Sequence, residues 1–252
     1  MVSDAAPLMQ ALQVSDDARG DWHRNIVSLR QSIDLFGDLV DDPAHVQVLL
    51  DHEMGTKPTQ RAQPIISRPF EDACIYDPIA VAIAWPFERI AVSRYSSGSY
   101  GVWYGARTLE ATIHETVHHF RLNTLASEIA RNSEQPIEQH RRVHLVHCSA
   151  ALVDLRARCA VDERLLDPDD YSYCQAVSAQ LHAAFLPGVL TYSARLPGAE
   201  VVAVFVQKAL SNPRPMCYLT YTLDARTGDV TVQRTPGKVE WVLPGRGAGE
   251  HE

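Results

Sequence analysis

The stretch ATIHETVHHF at residues 111–120 sets His114, Glu115 and His118 in the order H-E-x-x-H. On a helix, positions i and i+4 share a face, so the two imidazoles could hold a zinc ion while the carboxylate activates its water. Such a site needs a third protein ligand. Arg121 stands where the extended motif has a glycine, and Thr124 where it has a third histidine. Glu134 and Glu138 remain as candidates, but Pro136 between them breaks a helix that would carry both. The same Glu115 can be read instead with SRYSSGSYGVWYGA just upstream, as a carboxylate that needs no metal.

The elements that must position Glu115 are legible around it. Thr108 is a fitting N-cap, Glu110 lies in the first turn, and Leu109, Ile113, Val117 and Phe120 form one apolar stripe, which predicts a helix over 108–122. VAIAW (81–85) and GVWYGA (101–106) read as strands, and RRVHLVHCSAALVDL (141–155) as one or two more. DDYSYCQAVSAQLHAAF (169–185) is a helix closed by Pro187-Gly188. It is followed by strands at 188–194 and 200–210 and by a hairpin turning at Thr227-Gly228. Upstream, Trp22, Ile26, Leu29, Ile33, Leu35 and Leu39 lie near helical spacing, and a second helix starts at Asp42-Pro43. GTKPTQRAQP reads as a linker. The organisation expected is an acidic helical segment over 1–60, a mixed α+β domain over 61–235 and a tail over 236–252.

Bulk properties exclude several classes. A net charge of −8 argues against general nucleic-acid binding, which requires a basic face. No apolar run reaches the length of a membrane span, and the N-terminus lacks the basic and apolar regions of a signal peptide. Cys74, Cys148, Cys159, Cys174 and Cys217 are odd in number, scattered and never spaced C-x-x-C, which points to reduced thiols in a cytoplasmic protein. Residues 1–60 hold ten acidic side chains against Arg19, Arg24, Arg30 and Lys57, whereas residues 61–147 balance nine Arg against nine acidic residues. In the balanced part a few placed arginines could hold an anionic substrate.

Arg94 opens the loop RYSSGSYGVWY, Tyr104 closes it, Glu115 follows on the helix, and TYSARLPGAEVVAVF downstream carries Ser193. In this order and context, over roughly residues 65–210, the chain resembles the RES domain family of toxins, named for its Arg, Glu and Ser. The resemblance implies an ADP-ribosyltransferase-like α+β fold, with a mixed sheet core and flanking helices. It implies NAD⁺ as a consumed substrate with no bound cofactor, and growth arrest by NAD⁺ depletion as the toxin of a toxin–antitoxin pair. It also implies an antitoxin partner, typically a helix-turn-helix DNA-binding protein, and both a homo-oligomer and a toxin–antitoxin hetero-oligomer stay open. By position the family's Arg, Tyr, Glu and Ser fall on Arg94, Tyr104, Glu115 and Ser193, and Arg68 in SRPF matches an arginine of the first strand. The chain departs from the family pattern in lacking GGRWN around Arg94 and in carrying Glu200 where Asn is common.

The chemistry suits those residue types. Cleaving nicotinamide from NAD⁺ develops a ribosyl cation like that of glycoside hydrolysis, which a carboxylate such as Glu115 can stabilise. A guanidinium grips a pyrophosphate in a forked geometry, the part for Arg94 with Arg68 as a second clamp. Tyr104 can stack on nicotinamide, and Ser193 can hydrogen-bond ribose, phosphate or carboxamide. Trp103, Gln175 and Arg195 read as structural neighbours of these blocks, and His144 with His147 as a polar sheet face. Water, phosphate and a protein side chain all stay open as acceptors. A zinc hydrolase and a binding module without turnover are the rival classes. Nicotinamide release that survives EDTA separates them.

Overall fold

The computed structural model describes residues 12–28 and 80–245. Its strands are β1 (Gln13–Ser15), β2 (Gly20–Val27), β3 (Val92–Ser93), β4 (Ser96–Ser97), β5 (Trp103–Ala106), β6 (Ile137–Cys148), β7 (Leu152–Asp154), β8 (Gly188–Tyr192), β9 (Glu200–Val204), β10 (Leu210–Leu223), β11 (Val230–Thr235) and β12 (Lys238–Leu243). Its α-helices are α1 (Trp85–Glu88), α2 (Leu109–Leu125), α3 (Glu128–Arg131), α4 (Arg156–Cys159) and α5 (Ser172–Ala183). Among the described residues ten strands form one sheet in the order β1-β7-β8-β9-β5-β2-β6-β10-β11-β12. The β7–β8 pair is parallel and the other pairs are antiparallel. The fold is therefore mixed α+β, as expected.

Alternation along the central strands sends side chains to two different cores. Trp22, Trp103, Val146, Leu190, Val202 and Val204 pack together on one face, closed by Ala82 and Ile83. On the other face, Val153, Val189, Ala203 and Phe205 meet Val177 and Leu181 of α5. Further along that face, Val143, Leu219, Tyr221, Val230 and Val232 meet Ile113, Val117 and Phe120 of α2. Two helices thus sit side by side over one sheet, and the space between them is where a site can form. Gly188, at φ +153°, lets β8 lie close to β9: a Cβ there would run into the carbonyl oxygen of Ala203.

Several expectations need correction. Residues 13–15 and 20–27, expected to be helical and separate, form β1 and β2, joined by a 3-10 turn over Asp16–Ala18, and β2 lies inside the sheet between β5 and β6. Its eight residues pair with Cys148 through Arg141 in unbroken register, which overrides a weak helical spacing. The rest of the 1–60 helical expectation, the boundary at 60 and the linker lie outside the described residues. Residues 80–84 are a π-helical turn running into α1, not a strand. Ala82, Ile83 and Ala84 are all buried, and an apolar run buried on every side carries no period to tell strand from helix. Of the expected tail, residues 238–243 form β12 against β11. The hairpin turn falls where expected, with Gly228 at φ +76° donating its N–H to Asp224 O.

An ion cluster ties the first strands to the domain. Arg156 pairs with Asp154 at 2.6 Å, with Asp17 at 2.5 Å and with Glu200. Arg107 pairs with Glu200 at 3.1 Å and lies 3.8 Å over the Trp22 ring. The Arg156 guanidinium holds the Asp154 carboxyl below its ordinary range. Glu200, the departure from the family pattern, is thus a structural partner of two arginines.

Candidate active site

The site is built from three elements on the α2–α5 face. Thr108 caps α2, its hydroxyl accepting from Ala111 N at 3.2 Å, and the buried stripe fixes the rotation of the helix. With Ile113 and Val117 against the sheet, Glu115 and His119, one turn apart, face the cleft beside the helix. β5 supplies Tyr104. Its hydroxyl donates to Ser93 Oγ at 2.8 Å and accepts from Tyr95 N at 3.0 Å, and burial pushes that hydroxyl's pKa well up. The Arg94 loop is pinned from the other side as well, where Gln175 of α5 donates to Ser93 O at 2.9 Å and Ser96 O at 3.4 Å.

Arg94, Tyr104, Glu115, His119 and Tyr171 line a cleft with Val92 and Ser93. Its volume of about 120 Å³ is small beside the roughly 300–1,000 Å³ of a pocket enclosing a drug-sized ligand, so it suits one end of a larger molecule. Ser193 follows directly after β8 and is buried. Its Oγ accepts from Arg195 N and Leu196 N, both at 3.0 Å, and donates to Glu115 Oε1 at 2.5 Å. With both lone-pair directions taken by backbone N–H groups, the hydroxyl proton has one destination, the carboxylate. One oxygen of Glu115 is therefore held in place by a charge-assisted hydrogen bond.

The surroundings are cationic. The Arg94 guanidinium stands 4.5 Å over the Tyr171 ring, and its Nη1 is buried without a hydrogen-bond partner. A buried donor left unpaired is costly, and a cleft-lining one is a seat for an acceptor from a ligand. His119 lines the cleft and keeps an exposed edge. Loss of solvent, followed by the fields of Arg195, Arg141 and Arg94, depresses its pKa to about 4, so it is neutral at physiological pH. Arg141 lies beneath α2, buried, donating to Asn25 Oδ1 at 2.7 Å and Gln139 Oε1 at 2.6 Å.

Four of the five expected residues converge: Arg94, Tyr104 and Glu115 line one cleft and Ser193 binds Glu115. Arg68 lies outside the described residues. Trp103 and Gln175 take the structural parts expected of them, Trp103 donating from Nε1 to Ala82 O at 2.7 Å. His144 is fully buried beside Arg24 of β2, whereas His147 is half exposed, 3.5 Å from Asp21. Sequence reasoning missed His119, Tyr171 and Arg141. Spacing of four from Glu115 could have found His119. Nothing local marks Tyr171 or Arg141. The zinc arrangement does not assemble: among the described residues no three His, Cys, Asp or Glu side chains converge at ligand spacing, and His118 Nε2 faces Arg195 Nη2 at 2.9 Å.

Comparison with known proteins adds independent findings. The model of the RES domain family matches residues 73–224. A Mycobacterium tuberculosis (strain ATCC 25618 / H37Rv) protein named probable NAD(+) phosphorylase is 34% identical over 126 residues, covering 48% of this chain and 56% of that protein's length. The chain therefore spans little more than half of that relative. A crystal structure of the M. tuberculosis MbcT–MbcA toxin–antitoxin complex is similar at a TM-score of 0.36 and 18% identity, over 53% of this chain and 72% of that one.

Proposed function

The chain belongs to the RES domain family, and on that premise we propose that it cleaves the nicotinamide–ribose bond of NAD⁺, with inorganic phosphate as the acceptor. The observation that carries the reading is the Ser193–Glu115 pair at 2.5 Å, set in one wall of a cleft whose other walls are Arg94 and Tyr104. Phosphate is favoured over water by the name of the relative that shares 34% identity.

In this reading Arg94 takes the pyrophosphate, its unpaired Nη1 finding there the acceptor it lacks. Tyr104, held by Ser93 and Tyr95, presents a fixed aromatic edge to the nicotinamide ring. Glu115 faces the ribose. As the C1′–N bond stretches, positive charge grows on the ribosyl ring, and a carboxylate already oriented by Ser193 stabilises it without reorganising. Nicotinamide leaves as a neutral molecule, so no strong acid is required, which agrees with a neutral His119 in the wall. Arg68 is proposed as a second pyrophosphate clamp. As a toxin the protein would stop growth by exhausting NAD⁺, and the family resemblance supports a helix-turn-helix antitoxin as its partner.

NMR of the purified protein with NAD⁺, with and without phosphate, tests this directly. Wild type should release nicotinamide and form ADP-ribose 1″-phosphate, and treatment with EDTA should change neither. Glu115→Gln should slow release by about 10²–10³-fold, the range for losing one preorganised electrostatic group. Growth arrest that persists undiminished in Glu115→Gln would rule out the catalytic assignment.

A further inference from the structure

Arg195 is not used by the mechanism above, and its geometry is unusual. It follows Ser193 by two residues, and its own backbone N–H is one of the two that orient the Ser193 hydroxyl toward Glu115. Its guanidinium packs beside the cleft-lining Tyr171, with Nη2 meeting His118 Nε2 at 2.9 Å, Tyr171 Oη at 3.2 Å and the carbonyl oxygen of Pro168. Nη1 is buried and has no hydrogen-bond partner. Arg94 repeats the pattern across the same tyrosine. One guanidinium lies over the Tyr171 ring and the other at its hydroxyl, and each has an unsatisfied Nη1.

Two half-buried guanidinium groups near the Glu115 carboxylate each keep an Nη1 without an acceptor. The Asp167 carboxylate on the same loop lies in the field of both guanidinium groups, but its Oδ1 accepts the N–H groups of Asp170 at 2.7 Å and Asp169 at 2.8 Å, and it gives neither Nη1 a hydrogen-bond partner. A dinucleotide pyrophosphate accounts for one guanidinium. The second calls for another anion, close enough to the Glu115–Ser193 pair to reach the same ribose carbon.

We propose that Arg195, braced by His118 and Tyr171, is the residue that binds the acceptor phosphate. The inference rests on the NAD⁺-cleaving reading and assigns its second substrate a place. An oxygen of hydrogen phosphate forms the new bond to C1′, and the C1′–N bond breaks with both electrons passing to the nicotinamide ring nitrogen. The proton of hydrogen phosphate is released, and the products are nicotinamide and ADP-ribose 1″-phosphate. The spare Nη1 of Arg195 brings two N–H donors and a positive charge to a tetrahedral oxyanion, whereas water as acceptor would need no cation there.

The test combines calorimetry with kinetics on wild type, Arg195→Gln and Arg195→Lys, each first checked for an unchanged thermal melt. Inorganic phosphate titrated alone should bind wild type, bind Arg195→Gln at least tenfold more weakly, and fall between for Arg195→Lys, which keeps the charge but not the placed Nη1 donors. In turnover the phosphate KM should rise by at least tenfold in Arg195→Gln while the NAD⁺ KM stays within about twofold. Equal phosphate binding by all three proteins, or no binding by wild type, overturns the assignment. A rise confined to the NAD⁺ KM also overturns it and gives Arg195 to the pyrophosphate. Phosphate bound through Arg195 in a protein that never releases nicotinamide would leave the anion site standing and refute the proposed function instead.

Discussion

At the scale of single residues, the tightest constraint is on one hydroxyl. Ser193 is held by two backbone donors and spends its proton on Glu115, so its effect on chemistry passes through the carboxylate. Ser193→Ala should therefore lower kcat by about 10- to 100-fold, equivalent to losing ~1–3 kcal/mol from one charge-assisted hydrogen bond. KM for NAD⁺ should move far less. A mutant that lost NAD⁺ binding and kept kcat would put Ser193 on the substrate and not on Glu115. His119 illustrates the converse: it lies in the wall, but its depressed pKa of about 4 makes it a poor base near neutrality.

Elements decide whether those residues face one another. The rotation of α2 is set at its start by Thr108 and along its length by the buried stripe. Thr108→Ala should cost ~1 kcal/mol of stability, read as a lower urea midpoint at an unchanged slope, with nicotinamide release close to wild type. β6 carries a second, pH-dependent liability. His144 is fully buried, and burial, then Arg142 and Arg24, depress its pKa from the ordinary 6.5 to about 4. Between those two pH values the unfolded chain takes up a proton that the folded chain refuses. Stability must then fall as pH drops through that window, by up to ~3 kcal/mol at its lower end. His144→Gln should flatten this part of the pH profile in chemical denaturation, and an unaltered profile would place the acid sensitivity elsewhere.

For the whole molecule the governing fact is the sheet order. β2 lies between β5 and β6, paired along eight residues with β6, so residues 20–27 are an interior strand of the domain that holds the site. Asn25 on that strand donates to Thr116 of α2 at 3.2 Å and to Tyr221 of β10 at 2.9 Å, joining three elements beneath the cleft. Removal of residues 1–28 should leave an unfolded or aggregated chain, since it opens the sheet and uncovers Trp103. Circular dichroism and a cooperative melt would show this. A truncated protein that still melted cooperatively would mean the first strands are dispensable.

The sequence by itself determined what local order and spacing can determine. The cap, the stripe and the position of Glu115 on α2 follow from periodicity, and the order Arg94, Tyr104, Glu115, Ser193 carried the family and the candidate site. It could not place β2, because its few apolar residues suit either period and only pairing with a distant strand selects one. It could not choose between strand and helix for residues 81–85, where burial on every side erases the pattern. Nor could it find Tyr171, Arg141 or the second guanidinium at Arg195. Tyr171 lines the cleft from the loop before α5, while Arg141 on β6 and Arg195 after β8 lie near it, brought there by contacts between residues far apart in the chain. Which carboxylate is oriented, which arginine is left with a spare donor and which histidine stays neutral depend on those long-range contacts, and only the tertiary structure decides them.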